Sequence, residues 1–430
     1  MRPPTPTQRL GILFSMLSCI LATHPAQANE TFTSFGDHAA NLLPLTAFGA
    51  TYLYDDPEGR RQYLWQVGTS IAVVHLGKQT VGKLRPSEAN EISYPSGHTS
   101  AAFSGAAFLN TRYGPSWGVP AYGVAGLVGL SRVTSDNHFM DDVFAGASIS
   151  LFSNWLFVTP MVGPVSVQPT LTSDGTPAVS VSLFNEDKRD LEDEQFDLSF
   201  EPKYIYTWDF GPVWHDHNRI VLPKAGLGPF DLTEIGDLDD VTWASRVFFH
   251  WASANPHIIE LEVAPFETRN AFVAPVDLDL GDISVKSGER VRMSYRLYEY
   301  RATYYYNLAQ ANEDFLFGVG GGLTMIDKAF TFGNDQQGFV GEGPIYSFVP
   351  TVSAKGRMAL YEMIGLFGEV NWGQGSNDKI FDFNLGIDVK LATQWLVSLG
   401  YRLVDRELEK GDLINDMKQN QVFGSFSYLW

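Results

Sequence analysis

Two periods of hydrophobic and polar positions divide this chain. From about residue 196 onward apolar side chains recur at every second position. In "IFDFNLGIDVKL" Phe381, Phe383, Leu385, Ile387, Val389 and Leu391 share one face, and Asp382, Asn384, Gly386, Asp388 and Lys390 share the other. "QWLVSLGYRL" repeats the pattern with Trp395, Val397, Leu399, Tyr401 and Leu403. The chain ends in "VFGSFSYLW", with Val422, Phe426, Tyr428 and Trp430 on a single face. Such alternation predicts strands that bury one side. Candidate strands start near residues 197, 242, 258, 291, 314, 346, 358, 380, 394 and 421. Short turns are expected near 254, 310, 355 and 392. Long loops are expected near 209–240, 267–290, 327–344, 373–378 and 406–420.

Short connections alternating with long ones, and polar faces alternating with apolar ones, are the pattern of an antiparallel transmembrane β-barrel. Closure leaves no strand edge unpaired in hydrocarbon. About ten strands fit best, and eight or twelve also fit, because residues 291–306 lose clean alternation after Leu297. A soluble β-sandwich is the alternative, since its strands alternate too. The terminal "FSYLW" resembles the closing strand by which outer-membrane barrels are recognised, so the outer-membrane assembly machinery is an expected partner during biogenesis.

Residues 30 to about 160 read differently. "NLLPLTAFGATYLY", "LWQVGTSIAVVHLGKQTV", "SAAFSGAAFLNTRY", "PAYGVAGLVGLSRV" and "DDVFAGASISLFSNWLFV" are rich in Ala, Gly and Leu and predict helices broken by Pro and Gly. Most are shorter than the ~20 apolar residues of a spanning helix. They predict a tight all-α bundle over 29–160. A Pro/Thr/Gly-rich connector and the charged run "NEDKRDLEDEQ" make a linker over 161–195, and the barrel occupies 196–430.

Residues 1–28 read as an export signal, with basic Arg2 and Arg9, the apolar "LGILFSMLSCILA" and the small-residue site "AQA". The chain's one cysteine, Cys19, lies there, so the exported chain would hold no disulfide and no thiolate metal site. A formal charge of −19 over 430 residues argues against a nucleic-acid partner.

Three clusters in the helical part run against that acidity. The first, "KQTVGKLRP", holds Lys78, Arg85 and Pro86. Lys78 and Arg85 are seven apart, which on a helix places both on one face. Lys83 falls off that face, and Pro86 is expected to end the helix. The second is Pro95-Ser96-Gly97-His98, with Ser96 as a helix cap and Gly97 exposing backbone N–H groups. The third holds Ser131, Arg132, His138 and Asp142, the last two at i and i+4 and expected on one helix. Converging cations need an anion, and the Arg fork suits a tetrahedral oxyanion. A carboxylate on one imidazole nitrogen leaves the other poised for attack. Taken singly, each residue is an ordinary surface cation, structural histidine or capping acid. "WHDH" (His215, His217) reads as loop polarity, with no convincing third ligand for a metal.

The three clusters resemble the pattern of the type 2 phosphatidic acid phosphatase (PAP2) superfamily. That pattern is Lys-x6-Arg-Pro, then Pro-Ser-Gly-His, then Ser-Arg-x5-His-x3-Asp, and every fixed position is matched in order. The resemblance covers roughly residues 35–160. It implies a helical phosphatase without metal or cofactor. His138 would be the nucleophile, Asp142 would orient it, and His98 would protonate the leaving group. Lys78, Arg85, Arg132, Ser96 and Gly97 would bind the phosphoryl oxygens, supported by Pro86, Pro95 and Ser131. A phosphorylated membrane lipid is the expected substrate, a monoester or a pyrophosphate. With a carboxy-terminal outer-membrane barrel, the phosphatase domain is expected in the periplasm, at the inner leaflet of that membrane. Two alternatives remain at this stage: a vanadate-dependent haloperoxidase, whose anion site is shared, and a non-enzymatic pore or anchor with a degenerate plug.

Overall fold

The structure, a computed structural model, describes residues 25–161, 165–171, 177–183 and 204–429, less a few residues in loops and turns. The expected export signal falls largely on residues 1–24, outside the described residues. The chain divides into two compact units. One comprises residues to His75, Gly97–Ser135 and Ile149–Asp197. The other comprises Leu76–Ser96, Asp136–Ser148 and Leu198–Trp430.

Among the described residues five helices precede the barrel: α1 (Pro25–Leu53), α2 (Pro57–Val81), α3 (Gly97–Tyr113), α4 (Pro115–Thr134) and α5 (Met140–Phe157). Their limits follow local chemistry. Gly82, at φ +62, ends α2 in the left-handed conformation that favours glycine. Pro115 stands in the first turn of α4, where its missing N–H costs nothing. In the first unit, small side chains let the helices approach closely. Ala39, Ala47, Ala102, Ala106, Ala125 and Val128 are buried with Tyr63 and Phe108. A Cβ on Gly105 would lie 2.7 Å from the Leu43 carbonyl, so α3 meets α1 at backbone contact there. A buried ion pair ties the helix ends together: Arg112 Nη2 donates to Asp56 Oδ1 at 2.6 Å and Arg112 Nε to Oδ2 at 2.7 Å. Among the described residues no helix is long and apolar enough to cross a membrane.

The stretch expected as a connector holds a hairpin, β1 (Val165–Leu171) against β2 (Pro177–Leu183). The barrel follows: β3 (Tyr204–Leu222), β5 (Thr242–Ala254), β6 (His257–Val273), β9 (Arg290–Asn312), β10 (Phe315–Asn334), β11 (Gly338–Tyr361), β12 (Ile364–Gln374), β13 (Asp378–Ala392), β14 (Trp395–Lys410) and β15 (Leu413–Leu429). These ten antiparallel strands close where β15 pairs with β3, from Ile414↔Val221 to Leu429↔Ile205. Short elements lie in two connections: β4 (Leu227–Asp231) and α6 (Leu232–Ile235) after β3, and β7 (Leu278–Asp279) with β8 (Ser284–Val285) after β6.

The wall is inside out relative to a soluble protein. Leu323, Phe348, Val352, Leu385, Ile387 and Leu399 are exposed on its outer face. Charges line the lumen instead. Arg301 Nη1 lies 3.0 Å from Glu262 Oε2, and Arg402 Nη2 lies 2.7 Å from Asp382 Oδ2. Arg246 Nη2 lies 2.8 Å from Asp209 Oδ2, and Arg406 pairs with Glu299. An apolar cluster that includes Ile220, Met293, Phe330, Phe332 and Val349 packs the other part of the lumen. A buried charge network facing inward and apolar side chains facing outward are what a lipid solvent selects.

One end of the barrel carries only two-residue connections, at 255–256, 313–314, 362–363 and 393–394. The turn expected near 355 is therefore at 362–363. At the other end, residues 223–241 and 274–289 are long connections, shorter than the loops expected at 209–240 and 267–290 because β3 runs to Leu222 and β6 to Val273. The loops expected at 327–344 and 406–420 are instead mostly strand, while the one expected at 373–378 is a three-residue connection at 375–377. β10–β11 and β14–β15 remain paired out to Asn334↔Gly338 and Lys410↔Leu413. Charged residues there sit on strands that continue beyond the apolar band. The same reason places His215 and His217 on β3 rather than in a loop, with His217 Nε2 3.2 Å from Asp416 Oδ1.

Candidate active site

The sequence clusters come together in two groups, one in each unit. The larger is centred on His138. Its Nδ1 faces Asp142 Oδ2 at 3.7 Å, with both side chains buried. The two were expected on one helix. In the structure α5 begins at Met140, so His138 precedes it, and Asp142 lies in its first turn. Asp142 Oδ2 also accepts the Phe139 N–H at 2.8 Å, reaching back as the acid of a capping box does. One carboxylate thus caps the helix and faces the imidazole. Ser93 Oγ donates to the same oxygen at 2.5 Å, and Ser96 N–H donates to the Asp142 carbonyl at 2.9 Å.

Lys83, set aside in the sequence because it falls off the Lys78 face, proves central. It is buried, with Nζ 2.6 Å from Asp141 Oδ2 and 3.1 Å from Asp142 Oδ1. Burial opposes its charge, but the two carboxylates more than offset this and raise its pKa. Burial also opposes ionisation of Asp142, and Lys83, His138 and Ser93 together hold its pKa below the usual carboxylate range. The paired acids Asp141-Asp142 were the signal in the sequence, since two adjacent carboxylates at a buried helix start require a cation.

Lys78 stands in the last turn of α2 and Arg85 follows in a loop. The expected shared helical face is thus overturned: the helix stops at Val81, at the left-handed Gly82. Lys78 Nζ donates to the Ile92 carbonyl at 2.6 Å, and Arg85 Nη1 to Asn137 Oδ1 at 3.3 Å. Burial, with the charge of Arg85, brings the Lys78 ammonium down to about 8. Burial lowers the pKa of His138 as well, against the pull of Asp142, and Lys78 and Arg85 push it the same way. The imidazole is therefore neutral at neutral pH and stands among cations. Pro95 packs on α2 at Gly77, where a Cβ would lie 2.7 Å from its ring, and Pro86 is buried.

The second group lies within the helical unit. Arg132 is buried at the end of α4, with Nη1 2.6 Å from Asp37 Oδ1 and Nη2 donating to the Thr33 carbonyl at 2.8 Å. Ser131 Oγ accepts from Arg132 Nε at 3.1 Å. His98, in the first turn of α3 after Gly97, is half-exposed, with Nε2 3.5 Å from the same Asp37 oxygen. Asp37 on α1 was missed by the motif reading, because the three-part pattern starts after it. Gly36 beside it has no room for a side chain, since a Cβ would run into Ser131 Oγ and the Arg132 guanidinium. In the chain, Gly97 alone separates Ser96 from His98. Among the described residues no group of His, Cys, Asp and Glu is placed to hold a metal.

Residues 61–162 match the PAP2 superfamily. The lipid A 1-phosphatase of Porphyromonas gingivalis is 39% identical over 82 residues, which covers 18% of this chain and 18% of that protein. Among solved structures, Aquifex aeolicus LpxE aligns with 33% of this chain and 92% of its own, at 22% identity and a TM-score of 0.28. The Escherichia coli outer membrane protease OmpT aligns with 54% of this chain and 98% of its own, at 10% identity and a TM-score of 0.34. Residues 61–162 of this chain are a PAP2 superfamily domain, joined in the same polypeptide to a closed ten-strand antiparallel β-barrel.

Proposed function

We propose that the chain is a lipid phosphate phosphatase that works through a phosphohistidine and is anchored in the outer membrane by its barrel. The observation that carries this reading is the buried, neutral His138 with Asp142 on its Nδ1 side and Lys78 and Arg85 beside it. Asp142 holds the proton on Nδ1, so the lone pair is on Nε2. Nε2 attacks phosphorus, forming a P–N bond while the P–O bond to the lipid breaks. His98 donates its proton to the departing alkoxide oxygen and becomes the base for the second step. Water then attacks phosphorus, His98 takes its proton, and the P–N bond breaks to release phosphate. Lys78, Arg85 and Arg132, with the backbone at Ser96 and Gly97, stabilise the charge on the transferring oxygens, which supplies most of the rate.

The match to a lipid A 1-phosphatase supports a lipid substrate, and an apolar outer wall supports life in a bilayer. The lumen is crossed by charge pairs and holds a cavity of about 260 Å³ lined by Arg246, Glu260, Lys355 and Asp388, which suits an anchor better than an open channel. The test is phosphate release by the detergent-extracted chain from phosphatidic acid, phosphatidylglycerol phosphate, undecaprenyl pyrophosphate and lipid A, in EDTA. Release that His138→Ala abolishes is expected. No release from folded protein on any of these lipids contradicts the reading.

A further inference from the structure

The barrel grips the two catalytic loops. Residues 76–96 and 136–148 belong to the same compact unit as the strands. Arg269 on β6 reaches both loops: Nη2 lies 3.0 Å from Asp136 Oδ1, and Nη1 donates to the Pro86 carbonyl at 3.4 Å. Arg292 and Arg290 on β9 lie 3.5 and 3.7 Å from the Glu88 carboxylate. Tyr94 OH meets Ser245 Oγ on β5 at 2.7 Å. Asp136 and Glu88 are both left-handed, at φ 54 and 56, and each is held by a barrel arginine. The Ser87 N–H donates to the Asp136 carbonyl at 3.0 Å, joining the loops to each other.

These contacts are on the outer wall. Pairing of β6 with β9 runs without a register shift from His257↔Tyr306 to Val273↔Arg290, so alternation is unbroken. Glu260, Glu262, Glu299 and Arg301 are buried in the lumen, while Leu261 and Tyr304 are exposed outside. By parity Arg269, Arg290 and Arg292 point outward. Arg246 is buried in the lumen, so its neighbour Ser245 points outward too.

Their height on the wall follows from the register. On the outer face β6 reads Ile259, Leu261, Val263, Pro265, then Glu267 and Arg269. β9 reads Tyr304, Ala302, Tyr300, Tyr298, then Arg296, Ser294 and Arg292. β10 reads Val319, Gly321, Leu323, Met325, then Asp327. Pro265, Tyr298 and Asp327 pair in one row, and on all three strands the apolar outer face gives way to polar residues at or just past that row. Arg269 stands four residues past that row, roughly 13 Å along the strand. Ser245 is level with Phe210 and Gly424, just inside the band. The catalytic loops therefore straddle the polar edge of the band. That edge faces the long connections, 223–241 and 274–289, and lies opposite the two-residue turns. In outer-membrane barrels short turns are periplasmic and long loops are extracellular.

We propose that the catalytic loops work at the headgroup level of the outer leaflet, against the barrel's outer wall. The substrate is then a phosphorylated glycolipid of that leaflet, which arrives by lateral diffusion. This replaces the periplasmic placement expected from the sequence, and it rests on the phosphatase reading above.

The test uses single cysteines in the full chain, with Cys19→Ser as background, and a bulky membrane-impermeant maleimide. Ala89→Cys reports the exposed tip of the first catalytic loop, with Glu91→Cys as a second probe of it. Lys286→Cys reports a long connection and Met363→Cys a short turn. Phosphate release from detergent-dispersed lipid is measured on each variant. On intact cells Ala89→Cys and Lys286→Cys are expected to label as fully as after permeabilisation, and Met363→Cys only after it. Phosphate release with loop labelling that needs permeabilisation overturns the placement and leaves the phosphatase reading standing. Labelling from outside, with no phosphate release by folded protein, overturns the proposal through the reading beneath it.

Discussion

His138 Nδ1 and Asp142 Oδ2 face each other at 3.7 Å in a buried pair, and the same carboxylate oxygen caps α5 through the Phe139 N–H. Helix start and the orientation of the proposed nucleophile are thus one device. Asp142→Asn offers an amide where the imidazole N–H needs an acceptor, and it favours the wrong tautomer. By analogy with other acid–histidine pairs, kcat is expected to fall by about 10³- to 10⁴-fold. KM is expected to change little, because the cations that bind phosphate are retained. Steady-state kinetics on a dispersed lipid phosphate checks this.

Lys83 is predicted to be a stability residue rather than a phosphate ligand. Removing it by Lys83→Met leaves Asp141 and Asp142 buried side by side without their cation. Breaking such a buried pair from one side costs about 3–5 kcal/mol. Thermal or denaturant unfolding of the helical part should show that loss. Combining Lys83→Met with Asp141→Asn should recover part of it.

The pH profile has a defined shape. His138 must be neutral to attack, and its pKa lies below the ordinary histidine value, so activity holds through neutral pH and fails only on the acid side of that value. In the proposed mechanism Lys78 binds phosphate when protonated, and burial with the charge of Arg85 brings its pKa down to about 8. Above that pH the ammonium is lost and KM is expected to rise. Lys78→Arg keeps its charge, and its alkaline limb should move to higher pH. A pH series of kcat and kcat/KM on both proteins reads this directly.

Arg269 is a barrel residue predicted to act on catalysis by positioning. It bonds the loop of Arg85 through the Pro86 carbonyl and the loop of His138 through Asp136. Arg269→Ala should lower kcat by roughly 10- to 100-fold, because loop displacements near an ångström cost that much. Arg269→Lys keeps one charge contact and should recover part of the rate. Barrel assembly, followed by heat-modifiable gel mobility, should be unchanged in both.

Gly36→Ala tests the second group. The added methyl meets Ser131 Oγ and the Arg132 guanidinium, with no space to yield. The expected result is weaker substrate binding, seen as a raised KM, together with about 1–3 kcal/mol of lost stability from overpacking.

Much of this was legible in the sequence. Period-two runs such as Phe381–Leu391 gave the strands, because an alternating face has no other regular use. The three motifs gave Lys78, Arg85 and Asp142 around His138 but not Lys83 or Ser93. Those two were hidden because they contact the carboxylates across sequence gaps of 58 and 49 residues. Spacing also misplaced Arg85 and His138 on helices. Gly82 stops α2 early, and the Asp142 cap starts α5 late, neither of which a seven- or four-residue interval reveals. The extended hairpins at 334–338 and 410–413 were read as loops because strands beyond the apolar band lose their hydrophobic alternation while keeping their pairing. The grip of Arg269 on two loops had no local signal, since it depends on tertiary register.

The central claim is a phosphoryl group carried by His138. The direct measurement is a rapid quench of the detergent-extracted chain with lipid labelled on its phosphate, followed by assay of label on the protein. The expected result is a phosphoprotein that is stable to alkali and labile to acid, as a P–N bond is. It should be absent from His138→Ala. Phosphate release with no trapped phosphoprotein, or label that persists in His138→Ala, would contradict the account.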